Sequence, residues 1–192
     1  NRLARTAPAP GSTPQDAGWS LSDLGEHYLS GLLAHARGMA VFCTPTVNGY
    51  GRFRPNSLAP QSVLWGRDNR GAMLRVIGAA GDPASRIENR LGEPAANPYL
   101  YLASQIHAGL DGIERSLRAP AATDAPYAGG GEGIPTNLDD ALLALQADAV
   151  LVQAFGPALV DYLVRLKSSE STRHGMAEDK DDFQRREYFS RI

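Results

Sequence analysis

Apolar side chains recur along residues 20 to 41 at Leu21, Leu24, Tyr28, Leu32, His35 and Met39. Spacings of three and four place them on one side of a helix, and Ser20 or Ser22 stands where an N-cap belongs. Thr44-Pro45 ends the run, because a residue before proline avoids the helical region. Between residues 61 and 91 the period changes. The short runs Ser62-Val63-Leu64-Trp65, Ala72-Met73-Leu74-Arg75-Val76-Ile77 and Arg86-Ile87-Glu88-Asn89-Arg90 are separated by Gly, Asp, Asn and Pro. This is the pattern of strands in an antiparallel sheet. In the last run, alternation sets Arg86, Glu88 and Arg90 on one face and Ile87 and Asn89 on the other. Three charges on one face point to a binding surface.

After Pro94 the helical period returns. Asn97 predicts an N-cap and Pro98 the first helical position. Tyr99, Leu102, Ile106, Leu110, Ile113 and Leu117 then mark one apolar stripe, with the Tyr99 and Tyr101 pair read as helix packing. Residues 118 to 136, rich in Pro, Ala and Gly, form a long loop. Asn137 caps a short helix through Leu145, another helix runs over residues 157 to 167, and the charged end from 179 to 192 carries Phe183, Tyr188 and Phe189 near helical spacing. Residues 1 to 18 are rich in Pro, Ala, Gly, Ser and Thr, without periodicity, and read as a linker or surface loop. No internal repeat is present. The fold class is α+β: an antiparallel sheet with packed helices.

A chain of 192 residues is long enough to bury a core without disulfides. Its single cysteine, Cys43, excludes an internal disulfide framework. No apolar run approaches the roughly 20 residues that span a bilayer, and the cytoplasm is the expected compartment. A net charge of -2 gives no reason to expect nucleic acid or a membrane as partner. The basic residues are uneven in kind and place. Of nineteen, only Lys167 and Lys180 are lysine, and Arg52, Arg54, Arg67, Arg70, Arg75, Arg86 and Arg90 face only Asp68, Asp82 and Glu88 in their stretch. Arginine offers a planar fork of donors that fits carboxylate and phosphate oxygens two at a time. The alternative is a solvated arginine-rich surface. A nucleic-acid site is a weaker reading, since only Tyr50, Phe53 and Trp65 are there to stack on bases.

The order and spacing of several strings carry a resemblance. They are Asn48-Gly49-Tyr50-Gly51-Arg52, Pro55, Ala59-Pro60, Asp68-Asn69-Arg70-Gly71-Ala72-Met73-Leu74-Arg75, Arg86-Ile87-Glu88-Asn89-Arg90, Pro94-Ala95-Ala96-Asn97-Pro98-Tyr99-Leu100 and Ala108-Gly109-Leu110-Asp111-Gly112-Ile113. Together with the preceding helix and Arg186-Glu187-Tyr188-Phe189, they resemble the C-terminal half of the glutamine synthetase catalytic domain. The resemblance implies that residues 19 to 192 form the C-terminal portion of that domain, part of its catalytic barrel. It also implies an ATP-dependent ligase with Mg²⁺ or Mn²⁺, acting on glutamate and an amine through γ-glutamyl phosphate, in a homo-oligomer of stacked rings. On this resemblance Arg52 and Arg90 bind the α-carboxylate of glutamate. Arg70 and Arg75 contact the phosphoryl group, Arg70 in a catalytic part, Arg86 lies toward the nucleotide, and Glu88 is a metal ligand.

Two departures change the expectation. Where the family carries a glutamate before Ala-Pro that binds ammonium, this chain has Leu58, which suits an organic amine and points toward γ-glutamyl-amine ligases. The Ser and Lys usual around the loop tyrosine are replaced by Gly49 and Gly51, giving a more permissive backbone. The β-grasp domain, the Glu-x-Glu metal ligands and the histidine-bearing strand of the family have no counterpart here, and Glu88 alone cannot hold a metal that needs several oxygen ligands. The chain is then either part of a longer polypeptide or an inactive relative with a binding or regulatory role. A true glutamine synthetase using ammonia is the nearest alternative. His27, His35, His107 and His174 show no metal spacing and read as structural. Gly129-Gly130-Gly131 lacks the context of a phosphate loop. Tyr127 lies where the family can carry a regulatory tyrosine, but its surroundings do not match, and it reads as a plain loop residue.

Overall fold

The computed structural model describes residues 2–5, 7, 21–54 and 57–189. Most of the stretch read as a linker therefore lies outside the described residues. The part described is tied down: Ala4 bridges Leu21, and Arg5 Nε donates to the Leu21 carbonyl at 2.7 Å.

The first predicted helix is two. α1 spans Asp23–Ala34 and α2 spans Ala36–Cys43, with His35 as the break between them. Ser22 is the N-cap, its Oγ accepting from the Gly25 amide at 3.0 Å. The break has a cause in side-chain chemistry, since His35 is drawn between two carboxylates described below. α2 is buried almost throughout, with Met39, Val41 and Cys43 in the core. A fully buried side chain of that size contributes roughly 2 kcal/mol through burial.

β1 (Trp65–Arg67), β2 (Leu74–Ile77) and β3 (Arg86–Asn89) form one sheet in that order. β2 and β3 are antiparallel, but β1 and β2 run parallel, so the sheet is mixed where an antiparallel one was predicted. The chain between β1 and β2 is short and doubles back through the turn at Asp68, at φ 47°. Periodicity reports which residues alternate and says nothing about strand direction. Leu74 and Val76 face the core beside Met73 and Leu91.

α3 spans Pro98–Glu114 and begins as predicted: Asn97 Oδ1 accepts from the Tyr99 and Leu100 amides at 3.0 and 3.2 Å, with proline in the first turn. Its packing face differs from the apolar stripe. Tyr99 is 82% exposed, and Leu102, Ile106 and Leu110 are more than half exposed. The buried face is instead Ser104, Gln105, Ala108, Gly109 and Gly112. Glycine decides this. A Cβ on Gly31 would lie 2.0 Å from the Ala108 carbonyl oxygen, and one on Gly112 would lie 2.2 Å from the His27 carbonyl oxygen. α1 and α3 therefore cross with backbones touching, which only small residues allow. Tyr101 does pack against the core, whereas Tyr99 does not.

The loop after α3 lies along the sheet edge. Trp65 Nε1 donates to the Pro120 carbonyl at 2.7 Å, the Thr123 amide donates to the Trp65 carbonyl at 2.9 Å, and Ser62 bridges Gly133. α4 (Leu138–Ala147) and α5 (Ala149–Phe155) follow, capped by Asn137 and Asp148. α6 runs Pro157–Met176, longer than predicted, after a bend of 103° at Gly156, whose φ is 84°. α7 (Lys180–Gln184) leads into a π-turn over Arg185–Phe189. Tyr188 there accepts the Val47 amide at 3.0 Å and donates to Glu170, so the chain end closes over the loop before Gly49. Among the described residues no single helix is long and apolar enough to cross a membrane.

Candidate functional site

β2 and β3 set the geometry. Arg75 stands opposite Glu88 in the ladder, which puts both side chains on one face of the sheet. Arg75 Nη1 lies 3.3 Å from Glu88 Oε2, and Arg90 Nη1 lies 3.3 Å from Glu88 Oε1. One carboxylate therefore sits between two guanidinium groups. Arg75 also donates through Nε to Asp68 Oδ1 at 2.9 Å. Asp68 is 70% exposed, so that pair is screened by solvent and worth little by itself. The opposite face of β3 holds the strand in place: Asn89 Nδ2 donates to Gln105 Oε1 on α3 at 2.6 Å.

Arg52 approaches the same end of β3 from a 3₁₀ turn over Gly49–Arg52. Its Nη1 donates to the Arg90 carbonyl at 3.3 Å, its Nη2 donates to the Leu91 carbonyl, and its guanidinium stacks on Phe53 at 4.5 Å. Burial pulls the Arg52 pKa down, opposed first by the charge of Glu93, while nearby Arg90 pulls the same way as burial. Arg52 Nε and Arg90 Nε are both buried without a hydrogen-bond partner, as is the Tyr50 hydroxyl. Buried donors are almost always satisfied, and each orphan costs about 1–3 kcal/mol. Arg90 has Glu88 beside it and Arg52 has Glu93, yet one donor on each remains without a partner.

Leu58 stands at the mouth of this cluster. It is 56% exposed and held at φ 58°, the left-handed region that a leucine rarely adopts. Its carbonyl accepts from Arg90 Nη2 at 3.2 Å. Ala59 and Pro60 behind it are buried.

The structure thus brings Arg52, Leu58, Arg75, Glu88 and Arg90 together. It does not bring Arg70 and Arg86 into that cluster: Arg70 is exposed in the turn between β1 and β2, and Arg86 is exposed with Nη1 on the Ala84 carbonyl at 2.9 Å. Tyr127 hydrogen-bonds the Ala59 carbonyl at 3.5 Å and packs over Gly71, a loop contact. The three carboxylates or imidazoles that a metal needs are absent as a group among the described residues. Both oxygens of Glu88 are already engaged by arginines. The residues of this chain do not by themselves fit a divalent cation.

Asp68 stands out in the sequence only as an acid among the arginines, and Thr46 and Glu93 do not stand out at all. Glu93 lies beside an open pocket of about 410 Å³ between β3 and α3, lined also by Asn89, Pro94 and Tyr101. Its acid at the third position after Arg90 was visible, but nothing in the string says that it folds back under Arg52.

Residues 12–186 match the family described as glutamine synthetase, catalytic domain. The chain is 50% identical over 154 residues to γ-glutamylanilide synthase of Acinetobacter sp., covering 80% of this chain and 31% of that protein. It is 37% identical over 155 residues to γ-glutamylethanolamide synthetase of Streptomyces coelicolor, covering 80% and 33%. Against a glutamine synthetase of Methanocaldococcus jannaschii the identity is 36% over 159 residues, covering 78% and 35%. Among solved structures, a GmaS–ADP complex superposes with a TM-score of 0.75 at 31% identity, covering 98% of this chain and 42% of the other. The chain thus spans about a third of the curated relatives it matches.

Proposed function

This chain belongs to the glutamine synthetase family, and we propose that its protein is an ATP-dependent ligase forming a γ-glutamyl amide from glutamate and an organic amine. The observation that carries this reading is the placement of Arg52 and Arg90 together at the end of β3, with Leu58 beside them. A glutamate α-carboxylate is the kind of anion that two such neighbouring guanidinium groups attract. The amino acid is then held from one end, which leaves its γ-carboxylate free to react.

The reaction has two steps. A γ-carboxylate oxygen attacks the γ-phosphorus of ATP and ADP departs. The amine nitrogen then attacks the acyl carbon, phosphate leaves, and the nitrogen gives up a proton. Arg75, held beside Glu88, offers positive charge to the transferring oxygens, while Arg70 and Arg86, exposed beside the cluster, would meet the phosphoryl group and the nucleotide only by swinging toward them. Such preorganised charge is the main lever in phosphoryl transfer. As the resemblance implies, Glu88 would be one metal ligand, but only by giving up an arginine bond that now holds its oxygens, and the other ligands would come from elsewhere in the protein. A Mg²⁺ or Mn²⁺ there would neutralise phosphate charge. The protein would assemble from several copies, as the resemblance implies.

Leu58 supports an organic amine. An exposed leucine offers a nonpolar surface to an alkyl or aryl group and no charge to ammonium, and the relative at 50% identity is named for an anilide product. Ammonia is the alternative substrate, favoured by the similarity to a glutamine synthetase. The test is product analysis by mass spectrometry after incubating the gene product with ATP, Mg²⁺, glutamate and each amine. A γ-glutamyl amide of an organic amine is expected. Arg52→Ala should raise the glutamate KM by about 10- to 100-fold, the value of a charge-assisted bond. An unchanged glutamate KM in that variant would remove Arg52 from the site.

A further inference from the structure

Arg52 is only as well placed as the turn beneath it, and that turn has few bonds of its own. Gly49–Arg52 is a single 3₁₀ turn flanked by Asn48, whose side chain makes no cap. What holds it from below is the segment between β3 and α3. The Thr44 hydroxyl donates to the Leu91 carbonyl at 2.9 Å, and the Glu93 amide donates to the Cys43 carbonyl at 3.0 Å. Thr46 Oγ1 then donates to Glu93 Oε1 at 2.9 Å while accepting the Gly49 amide at 3.3 Å. The carboxylate lies directly against Gly49: a Cβ there would fall 2.2 Å from Glu93 Oε2 and 2.6 Å from its Cδ. Glycine at 49 and glutamate at 93 thus occupy one another's space.

We propose that Glu93 is the positioning residue of the amino-acid site, its carboxylate anchoring the Gly49–Arg52 turn through Thr46 and Gly49 so that the Arg52 guanidinium points at its anion. The inference rests on the reading of Arg52 as the glutamate-binding arginine. Glu93 touches no substrate in this account. Its charge also matters, because it is the foremost group sustaining the Arg52 cation against burial. Burial in turn raises the Glu93 carboxyl above its ordinary value, with the Thr46 bond and Arg52 opposing. Such a carboxylate persists only where its partners are fixed.

The experiment uses the gene product and five variants. In Glu93→Ala, the glutamate KM should rise about tenfold with kcat and the ATP KM within about twofold, the split expected when only ground-state placement of one substrate is lost. Amide hydrogen exchange over residues 46–52 should quicken in that variant while residues 74–77 stay protected. Gly49→Ala, which pushes the carboxylate out, and Thr46→Val, which removes its donor, should reproduce both effects. Glu93→Gln still accepts the Thr46 hydroxyl and should recover most of the loop protection. Equal loss of glutamate and ATP binding in Glu93→Ala would mark a merely structural role and overturn the proposal. So would unchanged exchange at 46–52, or faster exchange with an unchanged glutamate KM. The amino-acid reading fails separately, through Arg52→Ala, if that substitution leaves the glutamate KM where it was.

Discussion

Arg90 donates through Nη2 to the carbonyl of Leu58 at 3.2 Å, tying the charged strand to a loop residue in the left-handed region. The bond is made to the backbone, so it survives any side chain at 58. The left-handed backbone is retained at a cost of roughly 1–2 kcal/mol for any residue with a Cβ. Leu58→Gly is therefore expected to be more stable than Leu58→Ala by about 1 kcal/mol, read from denaturant midpoints at equal slope. Equal midpoints would show that the loop relaxes without strain.

His35 is clamped between two acids. Nδ1 lies 2.7 Å from Asp148 Oδ2 and Nε2 lies 2.9 Å from Asp111 Oδ2, with all three side chains nearly buried. Asp148 Oδ1 caps α5 through the Leu151 amide, and Asp111 also receives Arg115. Burial alone would lower the histidine pKa, but the bonds to Asp148 and then Asp111 outweigh it, and the folded value is raised above 6.5. A raised pKa means that the folded state holds the proton more tightly than the unfolded one. The contribution is full below pH 6.5 and is lost as pH rises through the folded value. Stability measured from pH 6 upward should fall in the wild type and not in His35→Gln. His35→Ala should cost about 3–5 kcal/mol, because two carboxylates lose their shared cation.

The α1–α3 crossing gives a third test. Gly31 touches the Ala108 carbonyl and the Gly112 backbone so closely that a methyl group has nowhere to go. Gly31→Ala should destabilise by about 3 kcal/mol, since overpacking against backbone cannot be relieved by a rotamer change. Thermal unfolding reads this directly, and a shift smaller than that of an exposed glycine-to-alanine change such as Gly175→Ala would refute the crossing. Gly175 has nothing within 4 Å of its Cβ position.

Much of the site could be read from the string, because strand alternation is local. Arg86, Glu88 and Arg90 fall on one face as expected, and the Asn97 cap and Pro98 start of α3 stand where their chemistry put them. What failed was whatever depended on a distant partner. The stripe from Tyr99 to Leu110 is apolar, yet α3 buries its small face, since Gly31 lets α1 come too close for large residues to compete. The single helix over 20 to 41 splits at His35 for the sake of Asp111 and Asp148, far along the chain. The parallel pairing of β1 with β2 and the return of Glu93 under Gly49 are likewise long-range events that no period encodes. Arg70 and Arg86 remain exposed beside the cluster rather than within it.

The amine remains the most telling variable, and phosphate release by the gene product with ATP, Mg²⁺ and glutamate measures it most directly. Ammonia is to be tested beside alkyl, aryl and polyamines, in the wild type and in Leu58→Glu. Release in the wild type is expected to be faster with an organic amine. Leu58→Glu is expected to shift preference at least about tenfold toward ammonia, the effect of one added charge at a partly exposed site. Preference for ammonia in the wild type would contradict the role given to Leu58, and no release with any amine would contradict the ligase itself.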